Sequence, residues 1–132
     1  MKVTGYRWIG MLVHDYEATC NFLRNDLGLE LEWIDDKKEI TKLRFPNGQS
    51  IEVFGPSNRT RKGKYRYFNG PLIGIEVDDI MAARQELLAK GMSFVSEIEG
   101  LEDGSARWTY FWGPDGQFYS LHQHGDSTSA RR

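Results

Sequence analysis

From Tyr6 to Val13 the chain reads YRWIGMLV, with Ile9, Met11 and Val13 at every second position. That period of two predicts a strand with one apolar face. The period then lengthens. Behind Asp15, a residue suited to cap a helix, Ala18, Phe22 and Leu23 recur at helical spacing as an expected buried stripe, and Gly28 closes the segment. LELEWI reads as a strand, the charged DDKK as a turn, EITKLRF as a strand, PNG as a turn and SIEVF as a last strand. The order is strand, helix, three strands.

The same order is written twice. PNGQSIEVF begins at Pro46 and PDGQFYSLH at Pro114, with Pro, Gly and Gln in register at an offset of 68. Upstream, placing Val13 on Val77 sets an offset of 64, which lays Gly10 on Gly74, Asp15 on Asp79 and Ala18 on Ala82. A tandem duplication explains both matches, the second copy carrying a few more residues. Its elements are expected as a strand Leu72 to Val77, a helix Asp79 to Lys90, a strand near Met92 to Val95, a glycine-containing loop, a strand Ala106 to Trp112, a turn GPDG and a strand Phe118 to His122. Module one then covers about 4–55 and module two about 68–124 of a single 1–132 domain. A connector of about 56–67 lies between them, with five basic residues from Arg59 to Arg66. It reads as a solvated linker or as a contact for an anionic ligand or partner. The tail 125–132 lacks an apolar anchor and is expected to be disordered.

Alternation assigns the faces. Ile9, Met11, Val13, Ile51 and Val53, with Ile73, Ile75, Val77, Tyr119 and Leu121, form an apolar face expected to lie under the helices. The opposite face carries Trp8, Gly10, Leu12, Ser50, Glu52 and Phe54, then Leu72, Gly74, Glu76, Phe118, Ser120 and His122. Aromatics, glycines, carboxylates and an imidazole make that face resemble the lining of a ligand cavity more than a core. Trp108, Tyr110 and Trp112 belong with it if their parity holds; Thr109 and Phe111 compete for the same side.

Composition narrows the function classes. The chain has 132 residues, 39% hydrophobic and 13% aromatic, as in a soluble globule. No apolar run approaches the roughly 18 residues of a membrane span, and the first residues lack a signal-peptide core. A net charge of -2 gives no general pull toward nucleic acid or membrane. Cys20 is the one cysteine, which excludes an internal disulfide, suits a reducing cytoplasm and reads as a small helix residue. No nucleophile–His–carboxylate pattern, phosphate-binding glycine loop or CxxC pair is present. Ser120 and His122 are same-face neighbours on one strand, which alone does not make them share a proton. His14 is expected to face solvent and His124 to sit in a fraying end.

Two βαβββ copies, opened by IGMLVHDYEATCNFLRNDLGLE and closed by GPDGQFYSL, resemble the vicinal oxygen chelate superfamily over residues 5 to 123. That superfamily includes glyoxalase I, extradiol dioxygenases, fosfomycin-resistance enzymes and bleomycin-binding proteins. The resemblance implies an α+β fold, with tandem modules forming a cup-shaped eight-stranded mixed sheet and two outer helices, and it implies a homodimer. It also implies four ligand positions in metal-using members, which fall on Trp8, Glu52, Leu72 and Ser120. Glu52 alone of these could hold a divalent ion, and a catalytic site needs about three protein ligands. No metal or other cofactor and no catalytic residue is therefore expected. A displaced set of Glu52, Glu76 and His122 is the alternative.

The favoured expectation is a metal-free small-molecule binding protein of the bleomycin-resistance type. It would sequester an aromatic or cationic ligand against Trp8, Trp108, Tyr110, Trp112 and Phe118. The other is a glyoxalase- or dioxygenase-like enzyme using displaced ligands or acid–base chemistry by Glu52, Glu76 or His122.

Overall fold

The computed structural model describes residues 1–35, 37, 39–56 and 69–125. The basic connector from residue 57 onward and the tail from residue 126 lie outside the described residues. Nine strands and two α-helices occur among the rest: β1 Val3–Leu12, α1 Tyr16–Asn21, β2 Glu30–Ile34, β3 Ile40–Arg44, β4 Ser50–Phe54, β5 Gly70–Val77, α2 Ile80–Ala89, β6 Ser93–Phe94, β7 Glu99–Gly100, β8 Ala106–Trp112 and β9 Phe118–His124. The fold is α+β. The chain divides into two compact units, Trp8–Leu72 and Met1–Arg7 with Ile73–Arg132. The first residues of β1 thus group with the second copy, where Lys2 O accepts from Asp78 N at 3.1 Å.

In the Trp8–Leu72 unit the strand order is β2-β3-β4-β1. β1 and β4 run parallel, Ile9 opposite Ile51 and Gly10 opposite Glu52, while β2–β3 and β3–β4 are antiparallel. Val13, Leu23, Leu29, Leu43 and Val53 form its core, with Met11, Tyr16, Cys20, Leu31 and Ile51 packed against it. Each fully buried aliphatic side chain of this kind contributes about 1.5–3 kcal/mol relative to exposure. Asp15 caps α1, accepting from Ala18 N at 3.0 Å.

The stripe expected at Ala18, Phe22 and Leu23 is corrected. Tyr16, Cys20 and Leu23 face the core, and Phe22 is 49% exposed. A π-helical segment, Phe22–Asp26, follows α1, closed by Leu27 N donating to Phe22 O at 3.0 Å. Tyr16, Cys20 and Leu23 stand at i, i+4 and i+7, the ordinary spacing of one α-helical face, so a different stripe of the same helix is the buried one.

In the other unit β5 lies beside β9, β9 beside β8, and β6 and β7 both pair with β8. Val77, Ile80, Ala83, Phe111 and Leu121 make the core against α2, joined by Ile75 and Tyr119. Asp79 caps α2 through Ala82 N at 3.1 Å, the counterpart of Asp15. The two recurring turns also close alike. Phe45 N donates to Gln49 O at 2.8 Å and Gly113 N to Gln117 O at 2.9 Å, while Gly48 (φ 91°) and Gly116 (φ 70°) take the left-handed conformation each turn needs.

The duplication is thus present in hydrogen bonds as well as letters. β7 is a two-residue strand that alternation did not foretell. His124 is not in a fraying end: it is the last residue of β9, with a buried side chain.

Candidate functional site

Within the Trp8–Leu72 unit, alternation turns Trp8, Gly10 and Leu12 of β1 away from the helix-side core. The Trp8 indole folds back over Gly10: a Cβ built on Gly10 would stand 2.4 Å from the ring and 3.1 Å from Phe54. The room left by this glycine is therefore filled by an aromatic of the chain itself. The Trp8 and Phe54 rings stack with centroids 6.0 Å apart and planes 10° from parallel, a contact worth about 0.5–1.5 kcal/mol beyond its area. Glu52 lies directly opposite Gly10 on β4, so the carboxylate and the indole occupy neighbouring places on one face. Leu72 is fully buried.

The sequence reading missed a residue on this same face. Thr41 and Leu43 of β3 point to the core, where Thr41 Oγ1 hydrogen-bonds the Tyr16 hydroxyl. Their neighbour Lys42 must face the other way, opposite Glu52. Lys42 is only 2% exposed, and its ammonium pairs with Glu32 Oε2 at 3.2 Å. A bulge between Leu31 and Trp33 puts both Glu32 and Trp33 across from Lys42. Taking an ammonium out of water costs several kcal/mol, and one ion pair to a partly solvated carboxylate offsets only part of that. The signal was available: a lysine at the centre of EITKLRF, in phase with Glu52.

In the second unit, β8 and β9 place Trp108 opposite His122, Tyr110 opposite Ser120 and Trp112 opposite Phe118. The parity question is settled by packing. Phe111 joins the helix-side core and Thr109 Oγ1 donates to Ser96 O at 3.0 Å, leaving Trp108, Tyr110 and Trp112 on the face of Phe118, Ser120 and His122. Phe118 stacks with Tyr110 at 6.0 Å and with Trp112 at 4.7 Å. Ser120 Oγ and His122 Nε2 are hydrogen-bonded at 2.8 Å, and both side chains are buried. The structure thus adds a hydrogen bond that strand spacing alone did not require.

Glu76 is hydrogen-bonded to His124. His124 donates its backbone N–H to Glu76 Oε2 at 2.9 Å, and its Nδ1 meets both carboxylate oxygens at 2.9 and 3.1 Å. An ionised carboxylate only accepts, so Nδ1 carries the proton. The His122 and His124 rings stack at 6.2 Å. Gly74, two residues before Glu76, is buried on the same strand face. The candidate residues therefore form two sets, one in each unit: Trp8, Gly10, Glu52, Phe54 and Leu72; and Gly74, Glu76, Trp108, Tyr110, Trp112, Phe118, Ser120 and His122.

These donors do not suit a catalytic divalent ion. Trp8 and Leu72 bring no ligand atom, Ser120 is engaged by His122, and Glu76 is engaged by His124. Among the described residues no group of three or more His, Cys, Asp or Glu side chains gathers to hold one. A groove of about 570 Å³ exists in the second unit beside α2, lined in part by Met81, Arg84, Leu101 and Arg107. None of the candidate residues lines it.

Duplicated strand–helix–strand copies, mixed strand pairing and an aromatic, polar face turned from the helices define the class. The model of the Glyoxalase/Bleomycin resistance protein/Dioxygenase superfamily matches residues 5–118, and the chain belongs to that superfamily. It is 22% identical over 125 residues to the uncharacterized protein YraH of Bacillus subtilis (strain 168), covering 87% of this chain and 94% of the relative. Among solved structures it is similar to a superfamily member from Vibrio splendidus 12B01, with TM-score 0.66, 17% identity and coverage of 89% and 98% of the two chains. Methylmalonyl-CoA epimerase from Mycobacterium tuberculosis is similar at TM-score 0.60 and 22% identity, with 97% and 93% covered. At these identities the structural likenesses concern the fold.

Proposed function

We propose that the protein is a metal-free small-molecule binder that sequesters an aromatic ligand, acting as a homodimer in the cytoplasm. One observation carries the reading. At the opening-strand position where metal-using relatives carry a ligand atom, this chain has Trp8, its ring laid over Gly10 and stacked on Phe54. An indole there contributes a flat apolar wall and takes the place of a donor. Large aromatics on the second unit's corresponding face, Tyr110, Trp112 and Phe118, support the same reading.

The homodimer part rests on β2, which ends the strand order of its unit and leaves Trp33 and Ile34 each 40% exposed.

The test is metal content. Protein purified without chelator is expected to contain no stoichiometric zinc, nickel, manganese or iron, and titration with each ion is expected to show no saturable site. Stoichiometric metal that is lost in Glu52→Gln or His122→Ala would overturn the proposal.

A second reading has one observation in its favour. The buried Ser120–His122 hydrogen bond supplies a proton-transfer pair, which suits acid–base chemistry such as the epimerisation named for one structural neighbour. In that reading Glu52, Glu76 or His122 would move the proton.

A further inference from the structure

We propose that the groove beside α2 binds a small amphipathic monocarboxylate, an apolar chain ending in one carboxylate. The groove lies within the second unit, apart from the aromatic face of the binding reading, and the inference does not depend on that reading.

Met81, Arg84 and Gln85 stand at i, i+3 and i+4 of α2, one helical face, and line the groove together. Glu97, Ile98, β7 and Leu101 line it too, with Arg107 of β8. Gly100 is opposite Arg107 in the β7–β8 register, and a Cβ on it would stand 2.9 Å from Arg107 Cγ. The glycine thus lets the arginine stem run close along β7. A volume of about 570 Å³ is within the range of small-molecule sites. Met81 and Leu101 are 56% and 53% exposed, so the groove offers apolar surface to what enters it.

The charges in the groove favour one added anion. Arg107 is half-buried, and among the described residues it pairs with no carboxylate; its Nη2 donates to the neutral Gln123 Oε1 at 3.2 Å. Arg84 is fixed in place, with Nη2 donating to Ser96 O at 3.0 Å and its guanidinium 4.9 Å from the Phe94 ring centroid. Its carboxylate partner Glu97 is 3.4 Å away and has a side chain 92% exposed, a solvated pair of the kind that contributes little. A guanidinium has five N–H donors, so both arginines keep donors for a ligand. A ligand carboxylate displaces Glu97 into water and gains two guanidiniums already held in position. Glu99 also lines the groove and is already engaged. One added carboxylate beside Glu99 therefore balances Arg84 and Arg107. A dianionic phosphate would exceed that balance, and a neutral amide would not displace Glu97. The apolar chain then covers Met81, Ile98 and Leu101.

Calorimetry with octanoate, octanamide and octyl phosphate, on wild type and Arg107→Gln, tests the inference. NMR signals of the Met81, Gln85 and Leu101 amides and of the Arg84 Nε–H report where each probe binds. Wild type is expected to bind octanoate at least about tenfold tighter than octanamide, the usual worth of one hydrogen bond to a charged group. Octanoate is also expected to bind more tightly than octyl phosphate and to move the groove signals. Arg107→Gln is expected to lose about tenfold for octanoate and little for octanamide. If that variant does not fold, Leu101→Glu, at an exposed position, takes its place: a fixed carboxylate there should weaken octanoate more than octanamide. Octanamide binding as tightly as octanoate, octyl phosphate binding more tightly, or an octanoate affinity unchanged in the variant would overturn the proposal. So would signals that move only outside the groove, or the absence of saturable octanoate binding.

Discussion

Gly10 shows what a single residue decides in this protein. Its missing side chain lets the Trp8 indole lie flat on β1, and a methyl group there would meet the ring at 2.4 Å. Gly10→Ala is expected to push the indole off Phe54 and to cost about 1–3 kcal/mol, the usual penalty for overpacking. Denaturant unfolding checks the stability, and a changed tryptophan emission checks the ring. An unaltered emission with unaltered stability would contradict the packing.

Tyr16 makes a second prediction at this scale. Burial raises its phenol above the ordinary value of 10.0. A raised folded-state value means a contribution fully present below the unfolded value and lost as pH rises through the folded one. Wild type should therefore weaken above about pH 10 more steeply than Tyr16→Phe, read from thermal melts across the alkaline range. Glu52 and Ser120 were legible from strand phase. Lys42 was equally in phase, but its pairing with Glu32 depends on the bulge in β2. The Glu76–His124 pair was not legible, because it depends on a contact between strands 48 residues apart in sequence.

Among the elements, the helix starts are the most symmetric part of the duplication. Asp15 and Asp79 occupy matching places and each accepts from a backbone N–H three residues on. Asp15→Ala and Asp79→Ala are each expected to cost about 0.5–2 kcal/mol. Chemical denaturation of the two variants checks this, and a loss well below that range in either would deny its cap. Apart from β7, the strands followed from the alternation and turn pattern of the chain, and β8 spans the residues expected from it.

Two elements departed from expectation for local reasons. The first helix buries Tyr16, Cys20 and Leu23, an i, i+4, i+7 stripe, in place of Ala18, Phe22 and Leu23. The bulge in β2 turned Glu32 toward Lys42. The helical stripe was open to reading from its regular spacing, whereas an extra residue in a strand leaves no mark in apolar periodicity, so the Glu32–Lys42 pairing was not.

For the molecule as a whole, the repeated phrase at Pro46 and Pro114 disclosed the superfamily, because a duplicated turn with its preceding strand and helix is a large and specific pattern. It did not disclose the reaction, since function lies in the few side chains that each face presents. No helix among the described residues is long and apolar enough to cross a membrane. The proposed homodimer predicts a sedimenting mass near twice the 15.2 kDa of the chain at micromolar concentration. A charge introduced by Trp33→Glu on the β2 edge should shift it to the single-chain mass. A single-chain mass for the unsubstituted protein would count against the dimer.

The most direct test of metal-free aromatic binding is a tryptophan-fluorescence titration with naphthalene in excess chelator, repeated with added zinc, for wild type and Trp8→Phe. The account predicts one saturable curve in wild type that is identical with and without zinc, and a response lost in Trp8→Phe although three other tryptophans remain. Saturation that appears only when zinc is present, or a response unchanged in Trp8→Phe, would contradict it.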